Sequence, residues 1–378
     1  MTADREGFLY PQIDSKKCVH CGLCESVCPE MGYIDRNESL QAMAIQCKSE
    51  NDRARSTAGG GFAPIAEYVL DKGGVVYGAA YDETFTVRHI GIESKDNLPL
   101  LLGSKYVQSV IGDTYRQTGE QLKQGRWVAF SGTPCQIVGL NRYLECVGCD
   151  CGSERLVTIS VVCRAVPSPY IFKKYVEYQQ EKFGGSVKSI CCRDKHYGYA
   201  YSTMSVYSET PGKYRDYHCS AESDEWLRCF FSGVCDRPCC EDCRFKGPVG
   251  DFHIGDYFRV GQVAPELNDN RGTTRMIIGS RRGQAVFEEI KDGYRFHEVS
   301  VEQLHATAQN ALTDFGRDKG KREQFFDDAR KLTGRELFSK YYPRTVKIRV
   351  LQYGRYICYR LGIYDALKRM LLKVKCRG

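Results

Sequence analysis

The strongest constraint in the chain is a run of four cysteines, Cys18-x2-Cys21-x2-Cys24-x3-Cys28, closed by Pro29. Thiolates at this spacing hold iron–sulfur clusters, and the run matches the bacterial ferredoxin pattern. A tight loop sets three sulfurs around one cube, and the proline turns the chain away. Gly22 supplies backbone freedom inside the loop. A zinc site would instead pair two CxxC units across a longer insert. In two-cluster ferredoxins the fourth cysteine of such a run serves the other cluster, and a second run completes the pair. This chain has one run, so one cluster takes its fourth ligand elsewhere or the module is incomplete. Cys47 is the candidate for that ligand, with an ordinary buried thiol as its alternative.

The chain has 20 cysteines in 378 residues, and they are clustered rather than scattered. Beyond the first run lie Cys135, Cys146, Cys149, Cys151 and Cys163, the adjacent Cys191 and Cys192, and six between Cys219 and Cys243. The opening residues carry neither a basic stretch nor an apolar core, so no export signal is expected. A reducing, cytoplasmic setting follows, in which metal or redox roles outweigh disulfides. Within Cys235-x3-Cys239-Cys240-x2-Cys243, the pair Cys240 and Cys243 forms a two-sulfur clamp, with Cys239 able to replace Cys240. A redox dithiol is the other reading of such a CxxC, but it belongs at the start of a helix after a strand. The Gly-, Pro- and charge-rich surroundings favour a ligand loop. For Cys146, Cys149 and Cys151, reduced thiols are favoured over a third metal site.

Hydrophobic residues make up 42% of the chain and charged ones 27%, the balance of a soluble globular protein. Residues 1–45 read as a small ferredoxin-like module and the polar stretch 46–58 as a linker. Residues 46–300 read as a main domain and 301–378 as a helical C-terminal region. Short apolar strands are predicted at 75–80, 87–92, 126–130, 156–162 and 275–279. Helical periodicity separates them near 62–72, 112–124, 135–145, 168–183 and 283–292. Strands alternating with helices imply an α/β fold built on a mixed sheet. From about 186 to 262 shorter segments suggest an antiparallel insertion that carries the second cysteine group.

Three loops suit a cofactor. The glycine-rich stretch containing Ser56, Gly59 and Gly60 leads into a helix, where backbone N–H groups gather toward an anion. The loop 103–109 offers Ser104, Lys105, Tyr106, Gln108 and Ser109, apt for phosphate or ribityl groups. Thr133 and Cys135 follow a predicted strand, and ligands of open α/β sheets gather at the carboxyl ends of strands. Neither GxGxxG nor GxxxxGK[ST] occurs.

Six stretches in order resemble the coenzyme F420 hydrogenase/dehydrogenase beta-subunit family: STAGGGF at 56–62, GSKYVQS at 103–109, SGTPCQ at 131–136, VCRAVPSP at 162–169, RPCCEDCRFK at 237–246 and IGDYF at 254–258. The resemblance implies a flavin-binding α/β domain with a ferredoxin module, FAD, and one or two [4Fe–4S] clusters. It implies FAD contacts at the loop residues named above. It also implies a cluster held by Cys135, Cys163, Cys240 and Cys243, beside the one at Cys18, Cys21, Cys24 and Cys28. The chain departs from the family at Arg164, where a histidine is usual, and at Leu102, Ala58 and Tyr199. A guanidinium does not act as a base near neutral pH, so Arg164 is read as a partner for a flavin phosphate or an acidic substrate. No residue is assigned a catalytic role.

The formal net charge is +7. Residues 345–378 hold nine Lys/Arg and one acidic residue, Asp365, which leaves the rest of the chain close to neutral. A nucleic-acid partner is therefore not expected. The tail interleaves Val350, Leu351, Tyr353, Ile357 and Leu361 with Arg349, Arg355 and Arg360. It suits either a helix packed on the body or a peripheral contact with the inner face of an anionic membrane. Three functions stand open at this stage. The first is a reductase that passes electrons from a ferredoxin-like donor, through clusters and FAD, to a small organic acceptor. The second is an electron-relay subunit serving a partner redox subunit. The third is a cluster-binding protein that has lost its flavin.

Overall fold

A computed structural model of the chain describes residues 1–31, 40–150, 152–210, 212–307, 319–364 and 366–367. They form two compact units. The first comprises Met1–Tyr170 and Asp236–Asp314, and the second Ile171–Cys235 and Phe315–Gly378.

The strands in chain order are β1 (Gln41–Cys47), β2 (Val75–Tyr81), β3 (Val87–Ile92), β4 (Val128–Gly132), β5 (Leu156–Val161), β6 (Ser186–Asp194), β7 (Thr203–Thr210), β8 (Lys213–Ser220), β9 (Phe252–Asp256), β10 (Thr274–Ile278) and β11 (Tyr294–Val299). The first unit is built on an eight-stranded sheet of order β11-β1-β10-β9-β5-β4-β2-β3. Its centre, β2, β4, β5 and β9, is parallel, and the flanking pairs are antiparallel. These strands are nearly all apolar, as a sheet covered on both faces requires. One face packs Ala129, Val157, Ile254 and Met276 against the helices Ala63–Asp71 and Arg281–Ile290. The other packs Val128, Phe130 and Leu156 with Ile137 and Leu140 of the helix Pro134–Cys146. The mixed α/β architecture expected from the sequence is the one observed. Two short segments, Thr2–Ala3 and Leu9–Tyr10, pair beside it, and Phe8 is fully buried.

The stretch read as a polar linker is a correction. Residues 46–58 include the end of β1 and a helix, Glu50–Arg55, capped by Ser49. Arg53 of this helix is buried, pairing with Asp269 at 2.7 Å and donating to the Gly272 carbonyl. Gln46 is buried likewise, donating to the Leu267 carbonyl and the Thr273 hydroxyl. Polar residues here face partners some 220 positions away in sequence, which local composition does not reveal.

The second unit carries the antiparallel sheet β8-β7-β6 and most of the C-terminal helices. The expectation that this antiparallel part would carry the second cysteine group is overturned. Cys239, Cys240 and Cys243 belong to the first unit. Cys235 belongs to the second, where its sulfur lies 3.5 Å from that of Cys229. Among the described residues no helix is long and apolar enough to cross a membrane.

Candidate iron–sulfur centre

Strands β4 and β5 run parallel and side by side, so both end at the same edge of the sheet. Cys135 follows β4 at the start of the helix Pro134–Cys146, and Cys163 follows β5. The segment with the clamp is laid alongside them. Asp236 bridges to Pro167, and the Arg237 N–H donates to the Val166 carbonyl at 2.8 Å. Pro238–Cys240 then makes one tight turn rather than the start of a long helix, which removes the context a CxxC dithiol expects.

Five thiols converge here. Burial pushes the Cys135 thiol up, opposed by the Thr133 hydroxyl 3.1 Å away, with Cys243 and Cys239 adding to the rise. Burial also pushes Cys163 well above the ordinary thiol range, reinforced by Cys135, Cys243 and Asp236. Cys240 is raised by its hydrogen bond with Cys239, by burial and by Cys163. That bond lowers Cys239 to about 6, assisted by the Arg237 charge. Among the described residues no three such side chains stand at the spacing of one metal ion's ligands. Ligands of an iron–sulfur cube each bind a separate iron. Deprotonation is costly for three of these thiols, Cys135, Cys163 and Cys240, which matches what iron supplies, because coordination removes the thiol proton outright. The donor set fits the group.

Arg164 packs against the centre, paired with Asp236 at 3.5 Å, and both side chains are nearly buried. The expectation of a phosphate or substrate partner for Arg164 is therefore corrected: its charge is met within the protein. Leu102, Ala58 and Tyr199, the other departures, are all buried.

The N-terminal run lies against the same unit. Cys18 and Cys28 are partly exposed, and Cys21 and Cys24 exposed. Gly22, in the left-handed region at φ 72°, starts the one-turn helix Leu23–Ser26. Arg142 donates to the carbonyls of Cys28, at 2.5 Å, and Met31. Arg244, next to Cys243, donates to the Glu30 carbonyl at 3.1 Å. Arg237 lies over the Tyr10 ring and donates to the Leu9 carbonyl. The Glu30 carboxylate opposes ionisation of Cys239. The two cysteine groups are thus neighbours, tied by Arg142, Arg237 and Arg244. The sequence reading gave none of the three a role: Arg244 adjoins Cys243 and Arg237 lies two residues from Cys235 and Cys239, while Arg142 carries no such local signal. Cys47 lies in β1, buried and raised to about 11 chiefly by burial. Cys149 is a core thiol reaching the Gly119 carbonyl, and Cys146 is exposed. Cys151 lies outside the described residues.

The loops expected to hold FAD divide in two. Ser56 donates to the Asp52 carbonyl, and the Gly59 N–H donates to the Thr274 hydroxyl. A Cβ on Gly59 would sit 2.4 Å from the Ile45 carbonyl oxygen and 2.5 Å from the Thr274 nitrogen, so glycine is required by close backbone approach. Gly60 adopts φ 80° against Cys47. Gln108 accepts from the Leu9 N–H. Ser109 and Thr133 belong to a chain of hydrogen bonds. His89 Nε2 donates to the Ser131 carbonyl, Ser109 bonds His89 Nδ1 at 3.0 Å, and Gln136 joins Ser109 to the Thr133 N–H. Through Thr133 this chain ends on the Cys135 sulfur. Ser104, Lys105 and Tyr106 are half-exposed. Ser104 and Thr57 bond each other, and Lys105 donates to the Leu100 and Leu102 carbonyls.

Comparison with known proteins defines the class. Residues 10–33 match a 4Fe-4S binding domain. Residues 125–303, which hold Cys135, Cys163, Cys240 and Cys243, match the C-terminal part of the coenzyme F420 hydrogenase/dehydrogenase beta subunit. Over these residues the chain is similar to that family. A chain from the solved F420-reducing [NiFe] hydrogenase complex of Methanosarcina barkeri is similar, with a TM-score of 0.47 and 14% identity. The match covers 82% of this chain and 94% of that one. No curated protein sequence matches this chain significantly.

Proposed function

We propose that this chain is an electron-transfer oxidoreductase with two [4Fe–4S] sites and an FAD, delivering electrons to a small organic acceptor. A ferredoxin-like donor or a partner redox subunit supplies the electrons. The observation that carries the reading is the convergence of Cys135, Cys163, Cys240 and Cys243 from separate segments, beside the Cys18–Cys28 run. When bound, clusters supply one-electron steps and FAD gathers them into two-electron delivery.

The residues present have definite work in this scheme. Cys135, Cys163, Cys240 and Cys243 would hold the inner cluster. The Thr133 hydroxyl, 3.1 Å from the Cys135 sulfur, would tune the potential of a cluster held there through a hydrogen bond. Arg237 and Lys246 add positive charge near the thiols, which favours the more negative, reduced state. Cys18, Cys21, Cys24 and Cys28 would hold the outer cluster near the surface, where a donor can reach it. Ser104, Lys105 and Tyr106, half-exposed on one loop, would be the flavin contacts. Ser56, Gly59 and Gly60 shape the neighbouring turn, while Gln108, Ser109 and Thr133 support it from within.

Anaerobic reconstitution tests the reading. About eight irons per chain are expected, falling by about four in Cys163→Ser and by about four in Cys21→Ser. An iron count unchanged by Cys163→Ser would sink the inner site. FAD retention after gel filtration should drop in Lys105→Ala, and no flavin bands in the wild type would remove FAD from the proposal. Reduction of an acceptor by the isolated chain separates a reductase from an electron relay, a reading favoured by the two adjoining cysteine groups.

A further inference from the structure

The C-terminal helix Val346–Arg360 has no buried residue along its length. One face is nevertheless held by the rest of its unit. Gln352 accepts from the N–H and hydroxyl of Ser220 and donates to the Tyr201 hydroxyl. Arg355 pairs with Glu222, and Tyr359 packs on Tyr197 with ring centroids 4.9 Å apart. Residues three and four apart share a helix face, so Gln352, Arg355, Tyr356 and Tyr359 form the docked side. The opposite side carries Val346, Val350, Tyr353, Ile357 and Leu361 at the same spacing. Their exposures are 77, 64, 66, 39 and 66%. An apolar stripe turned outward along four helical turns is not what a solvated helix presents.

The charges beside the stripe identify what covers it. The helix has four basic residues and no acidic one. Arg355 is spent on Glu222, while Lys347, Arg349 and Arg360 are exposed at the flanks of the stripe. The sequence beyond adds Lys368, Arg369, Lys373, Lys375 and Arg377 against Asp365. An apolar stripe edged by cations, with a tyrosine within it, suits the boundary between acyl chains and anionic headgroups. A protein groove of similar shape would need acidic residues for this same edge, whereas an anionic bilayer supplies both components over its whole surface.

We infer that the helix Val346–Arg360 seats this protein on an anionic membrane surface, lying in the plane of the interface on its Val346–Leu361 stripe. This goes beyond the redox reading and does not depend on it.

The test is co-sedimentation of the full chain with phosphatidylcholine vesicles with and without phosphatidylglycerol. Binding is expected only with phosphatidylglycerol, and it should fall in about 0.5 M salt. The double variant Val350→Glu/Ile357→Glu changes exposed positions and should bind about tenfold more weakly with its circular dichroism and iron content unchanged. Arg349→Gln/Arg360→Gln should weaken binding and reduce its salt dependence. Equal binding by wild type and Val350→Glu/Ile357→Glu would overturn the inference, as would equal binding to both vesicle types. So would absence of vesicle binding together with a dimer that this variant dissociates, which would assign the stripe to a second protein chain.

Discussion

At the scale of single residues, Arg164 has the clearest assignment in the centre. It stands where the family resemblance led to a histidine, and it is paired with Asp236 beside Cys163. Removing one partner of a nearly buried pair leaves the other charge uncompensated, which costs about 3–5 kcal/mol. Arg164→Ala is therefore expected to lower thermal stability and loosen the strand-end loop that carries Cys163. Arg164→His should restore little, since the buried imidazole would have to stay protonated to meet Asp236. A melt of Arg164→Ala indistinguishable from wild type would contradict the pairing. The sequence identified Arg164 as anomalous from its place beside Cys163. It did not identify the partner, because Asp236 lies 72 positions away, across the chain's excursion through the second unit.

At the scale of elements, strand and helix periods were legible because each strand is a short apolar run bounded by polar turns. Strands predicted at 87–92 and 156–162 are found at Val87–Ile92 and Leu156–Val161. The neighbourhood of Cys135 and Cys163 was legible for the same reason, since parallel strands end at one edge. What was not legible is the polar stitching between elements. Asp251 is an instance: 1% exposed, it accepts from the N–H and hydroxyl of Thr158 on β5, from Ser280 and from Arg282. One carboxylate thereby fastens β5 to the start of β9 and to the helix Arg281–Ile290. Asp251→Ala leaves the Arg282 charge and two Thr158 donors without their acceptor. A loss of about 3–5 kcal/mol in the first unit follows, measurable by urea unfolding. Asp251→Asn, which keeps the acceptor oxygen but not the charge, should lose less. Equal losses in the two variants would show that charge rather than the acceptor oxygen carries the contact.

At the scale of the whole molecule, the charge and the titrating groups are unevenly placed, and this sets how stability varies with pH. Burial holds His89 down to about 4, opposed by its bond to the Ser131 carbonyl. Burial holds His253 down to about 3, with Arg275 and His305 pushing the same way. Both lie in the first unit and are neutral when folded at neutral pH. In the unfolded chain each takes up a proton near the ordinary histidine value of about 6.5. Between that value and the depressed folded one, the unfolded state binds more protons than the folded state. Stability therefore rises with pH across this window and is lost as pH falls below about 6.5. Each histidine contributes up to about 1.4 kcal/mol per pH unit there. His253→Gln keeps a hydrogen-bonding side chain near Ser160 but cannot take up the proton. It should flatten the fall in melting temperature of the first unit between pH 7 and pH 5. His89→Asn should do the same and, through Ser109, Gln136 and Thr133, also shift the potential of the cluster proposed at Cys135. Among the described residues His253 has no such connection to Cys135, so its variant should leave that potential unchanged. Identical pH dependence in wild type and both variants would show that neither histidine is held neutral by the fold.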